Sequence, residues 1–198
     1  MINLFIAYDN KETIFAGLGS HIKSKFITNQ DYSIIEITHP YLNETYVNTL
    51  IGLRDSDIFI FVGYSHGQVD MLLDLKASTA SYTSTRSTIH YRNSVFYTFS
   101  CLSGQNLADS LISNGSLVFF GYNGEVIFLD EPLFISANNN IINSGLIKLL
   151  KGNKFESSEF ESAKNEILDT YDSYIESTAD LGYIKCWTRN QRLLVKKQ

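Results

Sequence analysis

The chain alternates short runs that are apolar on both sides with longer stretches whose apolar residues recur every three to four positions. Residues 2–8 (Ile-Asn-Leu-Phe-Ile-Ala-Tyr) read as a buried strand. Residues 11–26 read as a helix, with Ile14, Leu18 and Ile22 on one face. Residues 33–38 read as a second strand, ended by His39-Pro40 because proline cannot donate to a ladder. Residues 41–53 look helical through Leu42, Tyr46 and Leu50. Residues 57–64 (Asp-Ile-Phe-Ile-Phe-Val-Gly-Tyr) are the strongest strand signal, as expected in the middle of a parallel sheet. Further on, the pattern predicts strands at 70–75, 94–100 and 116–122 and helices at 104–114, 133–151 and 157–178. Residues 181–188 and 191–196 alternate like a final hairpin across Asn190. The Ser/Thr-rich stretch 76–93 predicts a long connection. It reads as a plain linker, a wall of a groove, or a processing site at Lys76, Arg86 or Arg92.

Strands alternating with helices predict an α/β fold, a mostly parallel twisted sheet with helices on both faces and right-handed crossovers. In such sheets the crevice for chemistry lies beyond the carboxyl ends of the strands. The residues just after strands therefore carry the functional reading.

Composition narrows that reading. The 198 residues are 44% hydrophobic and 19% charged, with thirteen Phe, twelve Tyr and two Pro, so the chain can bury a real core. One domain over 1–198 is expected. Apolar runs reach about seven residues, against roughly 20 for a transmembrane helix, so no membrane partner is expected. Met1-Ile2-Asn3-Leu4 lacks a basic region before an apolar run, so no secretory leader is expected. The net charge of −5, without a Lys/Arg patch, argues against nucleic acid. Cys101 and Cys186 have neither disulfide-framework nor metal spacing, which points to a reducing, cytoplasmic setting. The turn Ala7-Tyr8-Asp9-Asn10 has no glycine, so no phosphate loop follows the first strand. No cofactor and no metal are expected.

Two strand ends stand out. One reads Tyr64-Ser65-His66-Gly67, and the other, 35 residues after the histidine, Ser100-Cys101-Leu102-Ser103-Gly104. A Cys and a His on adjacent strand ends form a nucleophile with its acid–base partner. The helix predicted from 104 would favour a thiolate through its dipole. The backbone amides of Gly67 and Cys101 are candidates for an oxyanion hole. Gly104 permits a tight strand-to-helix turn. The other side chains of this kind read more plainly. Cys186 reads as structural, His21 as a surface residue, His39 as a turn residue on the crevice side, and His90 as part of the Ser/Thr stretch.

These two motifs, in this order and spacing, resemble the caspase-like cysteine peptidases, which include caspases, metacaspases, gingipains, separase and the bacterial CHAT peptidases. The run from Ser103-Gly104-Gln105-Asn106-Leu107-Ala108 to Gly115-Ser116-Leu117-Val118-Phe119-Phe120-Gly121-Tyr122 is similar to the CHAT and bacterial branch, as are the 133–152 helix and Ala163. The resemblance spans roughly residues 2–178. It implies a three-layer caspase-like fold and a cysteine endopeptidase that cleaves a protein or peptide substrate through a thioester. His66 would be the catalytic histidine, Cys101 the nucleophile, and Gly67 and Cys101 the oxyanion donors. It also implies restraint by an activating protein partner, by proteolysis or by an oligomer. For bacterial members it implies a defence or cell-death role.

The chain departs from parts of that family. The caspase pentapeptide Gln-Ala-Cys-Arg-Gly is absent, so preference for Asp at the cleavage point is not implied. Phe99 stands where metacaspases carry Asp, so their acidic pocket and calcium requirement are not implied either. Separase and CHAT proteins hold a basic substrate side chain with an acidic residue after the fifth strand. Glu125, Asp130 and Glu131 are the candidates, with Asp130 preferred, and a neutral or apolar pocket is the alternative. Two other readings of the whole chain remain. One is a silent caspase-fold binding module. The other is a TIR-like NAD hydrolase, flavoured by Leu4-Phe5-Ile6-Ala7-Tyr8, which would need a carboxylate such as Glu36 or Glu44.

Overall fold

The computed structural model describes residues 1–54, 57–75 and 80–198. Six strands form one sheet: β1 (Ile2–Tyr8), β2 (Tyr32–Ile37), β3 (Phe59–Tyr64), β7 (Ser94–Phe99), β8 (Val118–Tyr122) and β9 (Leu194–Lys197). Their spatial order is β2-β1-β3-β7-β8-β9. All neighbours are parallel except β9, which runs antiparallel to β8. The protein is thus α/β with a mostly parallel sheet, as the alternation predicted.

Side chains alternate between two cores, because successive residues of a strand point to opposite faces. Leu4, Ile6 and Tyr8 of β1 join Ile60, Val62 and Tyr64 of β3 on one face. That face is covered by α1 (Thr13–Phe26), α4 (Pro132–Gly152), α5 (Ser157–Ser177) and α6 (Leu181–Leu193). Phe5, Ala7, Phe59 and Phe61 face the other way, against α2 (Glu44–Gly52) and α3 (Asn106–Ser113). Central strands buried on both sides explain why 59–64 and 94–99 are almost continuously apolar or aromatic.

The chain leaves β1 for β2 on one side and then returns to place β3 on the other. The strand order therefore reverses between β1 and β3, which is where an α/β sheet opens a crevice. Beyond β3 the chain builds a small antiparallel sheet of β4 (Gly67–Gln68), β5 (Met71–Leu73) and β6 (Ser81–Ser84) before entering β7.

Two expectations need correction. Within the stretch 76–93, Lys76 lies outside the described residues, but much of the rest is ordered and buried. Tyr82, Thr83, Ser84, Ser87, Thr88 and Tyr91 are all buried. Their hydroxyls are satisfied in pairs: Thr83 with Tyr91 at 2.6 Å, Thr88 with Ser110 at 2.7 Å, and Ser87 donating to the Ser84 carbonyl at 3.0 Å. Arg86 and Arg92 remain exposed.

Residues 181–188 are not a strand. They belong to α6, started by Asp180, whose carboxylate accepts from the Gly182 and Tyr183 amides. Cys186, Trp187 and Asn190 form its buried face, and Trp187 stacks on Phe134 at 5.4 Å. Only the last residues, as β9, supply the antiparallel arm. No helix among the described residues is long and apolar enough to cross a membrane.

Candidate active site

Tyr64 and Phe99 are register partners at the ends of β3 and β7. The chain therefore releases Ser65-His66-Gly67 and Ser100-Cys101 side by side at the carboxyl ends of two adjacent central strands. Hydroxyls lock the two ends together. Ser100 Oγ donates to the Ser65 carbonyl at 2.8 Å, and Thr98 Oγ1 donates to the Gly63 carbonyl at 2.7 Å. Ser65 Oγ meets Tyr82 OH at 2.9 Å. These groups are buried, and burial makes each bond costly to lose. Sequence reasoning gave the two serines no role. Their signal was a Ser immediately before each candidate catalytic residue.

His66 has a fixed backbone. Its carbonyl accepts from the Leu73 amide at 2.9 Å and from Ser65 Oγ at 2.9 Å. Its ring meets Phe15 of α1 edge-on, centroids 5.2 Å apart, and lies 6.2 Å from the Phe128 ring. Glu12 Oε1 is 3.7 Å from His66 Nε2, an ion-pair distance when the ring is protonated.

Gly67 packs on the Cys101 backbone. A Cβ there would meet the Cys101 carbonyl oxygen at 2.6 Å and lie 3.5 Å from the Cys101 nitrogen. Leu102 follows at φ 58°, a left-handed conformation that costs a leucine about 1–3 kcal/mol. Gly104 sits against Val195, Asn123 and the Tyr122 backbone, where a Cβ would come within 2.5 Å of the Val195 side chain. The tight turn expected of this glycine is present.

The thiol is not the low-pKa group that the helix-dipole argument expects. The helix α3 begins only at Asn106. Burial pushes the Cys101 thiol above its ordinary range and the Glu125 charge adds to that, while peptide groups at Val126 and Cys101 and the Arg189 cation pull back only part. Burial therefore favours the protonated form of the Cys101 thiol.

The segment 123–131 runs close beside Cys101. Cys101 Sγ is 3.9 Å from the Val126 carbonyl oxygen, a long, weak contact. The Leu102 amide donates to the Gly124 carbonyl at 3.0 Å. Asn190, buried on α6, clamps this segment twice: its Oδ1 accepts from the Ile127 amide at 2.8 Å and its Nδ2 donates to the Ile127 carbonyl at 2.7 Å. The alternation reading had put Asn190 in a turn.

The three acidic candidates separate. Asp130 lines a cavity of about 370 Å³ with Lys11, Glu12, Thr13, Ile14 and Phe128. Glu12 and Phe128, which both neighbour His66, are shared with this cavity. Glu125 lies on the thiol side. Glu131 is occupied by the Tyr183 hydroxyl at 2.7 Å.

The remaining singled-out residues stand apart from the site. Cys186 is buried on α6, and His90 is exposed. His21 is half-buried, and burial lowers its pKa, helped by the Lys25 charge. His39 precedes a cis proline. Glu36 is held by Tyr8 OH and Lys23 on the edge strand β2, and Glu44 accepts from Ser84 Oγ. Among the described residues no group of three or more His, Cys, Asp or Glu is arranged to hold a metal ion. No protein-family model matches the chain, and no curated protein matches it.

Proposed function

We propose that this chain is a cytoplasmic cysteine endopeptidase of the caspase-like kind, with Cys101 as nucleophile and His66 as its acid–base partner. The observation that carries the reading is the register of β3 on β7, which releases His66 and Cys101 from the carboxyl ends of adjacent central strands. The close packing of Gly67 on Cys101 adds to it.

In the reaction, His66 takes the thiol proton and Cys101 Sγ attacks the scissile carbonyl carbon. The oxyanion is met by the Gly67 and Cys101 amides. The C–N bond then breaks, and His66 passes its proton to the departing amine. Water, deprotonated by His66, attacks the thioester and returns Cys101 as the thiol. Asp130, in the cavity lined also by Glu12 and Phe128, receives a basic substrate side chain. The resting thiol beside 123–131 fits an enzyme restrained until a partner, a cut or an assembly shifts that segment.

The test is a peptide library carrying each residue type at the cleavage position, digested by wild type, Cys101→Ala and His66→Ala. Cleavage after Lys or Arg, lost in both variants, is expected. Cleavage that survives in Cys101→Ala removes the proposal. A second reading, a silent caspase-fold binding module, is favoured by the protonated thiol. It predicts no cleavage by any form, including one in which the segment beside Cys101 is released.

A further inference from the structure

Glu12 stands at the first boundary position of α1, where Ser, Thr, Asp or Asn usually caps the helix. Its side chain makes no cap hydrogen bond. The carboxylate instead lies beside His66 Nε2 at 3.7 Å, with the two side chains 35% and 15% exposed. The turn that carries it is fixed to the same strand ends as the imidazole. Asp9, buried, donates its amide to the Tyr64 carbonyl at 3.0 Å and accepts from the Lys11 amide through Oδ1 at 2.9 Å. One helical turn beyond Glu12, Phe15 presses on the imidazole ring. The crevice between β1 and β3 therefore delivers a carboxylate and an aromatic edge to the candidate catalytic histidine.

We propose that Glu12 is the positioning residue of this site. Its carboxylate holds the imidazole through Nε2 and favours the protonated ring. Glu12 acts through His66 and does not touch the reacting atoms. The inference rests on the peptidase reading for its purpose, but the pairing itself is open to measurement without turnover. Glu12 carries the charge placed against His66, and Lys11 and Asp130 line a cavity with Glu12. Cys101, at the end of β7, is the titratable group on the neighbouring strand end.

The experiment is an NMR titration of the histidine rings in wild type, Glu12→Gln and Glu12→Asp, with His21, His39 and His90 as internal references. Glu12→Gln is expected to lower the His66 midpoint by about one pH unit, the usual scale for losing a carboxylate at this range. Glu12→Asp keeps the charge on a shorter stem and is expected to fall in between. The references should not move. In wild type, raising the salt from about 0.05 to 0.5 M should lower the His66 midpoint as the pair is screened, a check that needs no variant. With a cleaved peptide in hand, Glu12→Gln should reduce kcat about tenfold or more with KM held, the size of a general acid–base contribution partly lost.

A His66 midpoint unchanged by Glu12→Gln in a natively folded protein, or unmoved by salt, overturns the inference. The two readings fail separately. A shifted midpoint in a protein that cleaves nothing keeps the pairing and removes the peptidase. Cleavage with an unshifted midpoint keeps the peptidase and removes Glu12.

Discussion

Gly67 packs so closely on Cys101 that a single added methyl group would lie 2.6 Å from the Cys101 carbonyl oxygen and 2.9 Å from Ser100 Cβ. Both neighbours are part of the locked strand ends, so neither can swing away as a flexible side chain would. Gly67→Ala is expected to destabilise the fold by about 1–3 kcal/mol, the usual cost of overpacking. It should also displace the turn that carries the thiol. Urea melts and the alkylation rate of Cys101 check the two effects, and an unchanged melt would contradict the contact.

The protonated thiol gives a pH signature. With its pKa above the ordinary thiol value, Cys101 carries little thiolate at neutral pH. Alkylation by iodoacetamide should rise about tenfold per pH unit through pH 9. Cys186, also raised by burial, should behave in the same direction. A Cys101 rate that levels off below pH 8 in the resting protein would contradict this state of the thiol.

Asn190 holds the segment beside Cys101 by two hydrogen bonds to Ile127. Asn190→Ala leaves the half-buried Ile127 amide and carbonyl without that partner, at about 0.5–1.5 kcal/mol each. The segment should loosen, and Cys101 should be alkylated severalfold faster, with a smaller change at Cys186. Peptide-resolved mass spectrometry reads both rates. Equal acceleration of the two thiols would indicate general loosening of α6 instead.

Much of this was legible in the chain. The pattern of 57–64 and 94–100 marked the central strands, because strands buried on both faces need no polar side. The residues after them marked the candidate dyad, because an α/β sheet puts its chemistry at strand ends. What was not legible depended on which side chains the fold brings together. Thr83, Ser84 and Thr88 look like linker residues until Tyr91, Ser87 and Ser110 are brought to them. Tyr183, Cys186, Trp187 and Asn190 fit a helix as well as an alternating strand, and only Asp180 and the Phe134 ring decide between them. Glu12 gave no signal, since its nearness to His66 follows from β1 lying beside β3.

Away from the site, Lys23, Glu36 and Tyr8 tie α1 to the edge of the sheet. Burial pushes the Glu36 carboxyl up, but the hydrogen bonds from Lys23 and Tyr8 and the Lys23 charge outweigh it and leave the pKa lowered. A lowered folded value means that the stabilisation is present above the unfolded carboxyl pKa of about 4.3 and fades as pH falls through the folded value. Glu36→Gln should therefore cost stability at pH 7, by less than about 1 kcal/mol because the pair is partly exposed. The difference should shrink as pH falls through the lowered folded value. Urea midpoints at pH 7 and in acid check it, and a difference that does not shrink in acid would contradict the account.

The central claim is that Cys101 and His66 act together on a peptide carbonyl. A peptidyl acyloxymethyl ketone with Lys or Arg next to its reactive carbonyl tests this directly, on wild type, His66→Ala, Asp130→Asn and the released Asn190→Ala form. The account predicts a covalent adduct on Cys101 and none on Cys186. Labelling should fall about a hundredfold in His66→Ala, within the usual range for a general acid–base group, and clearly in Asp130→Asn. Labelling of Cys101 that is no faster than that of Cys186 in both the resting and the released protein, or that is indifferent to His66, would contradict it.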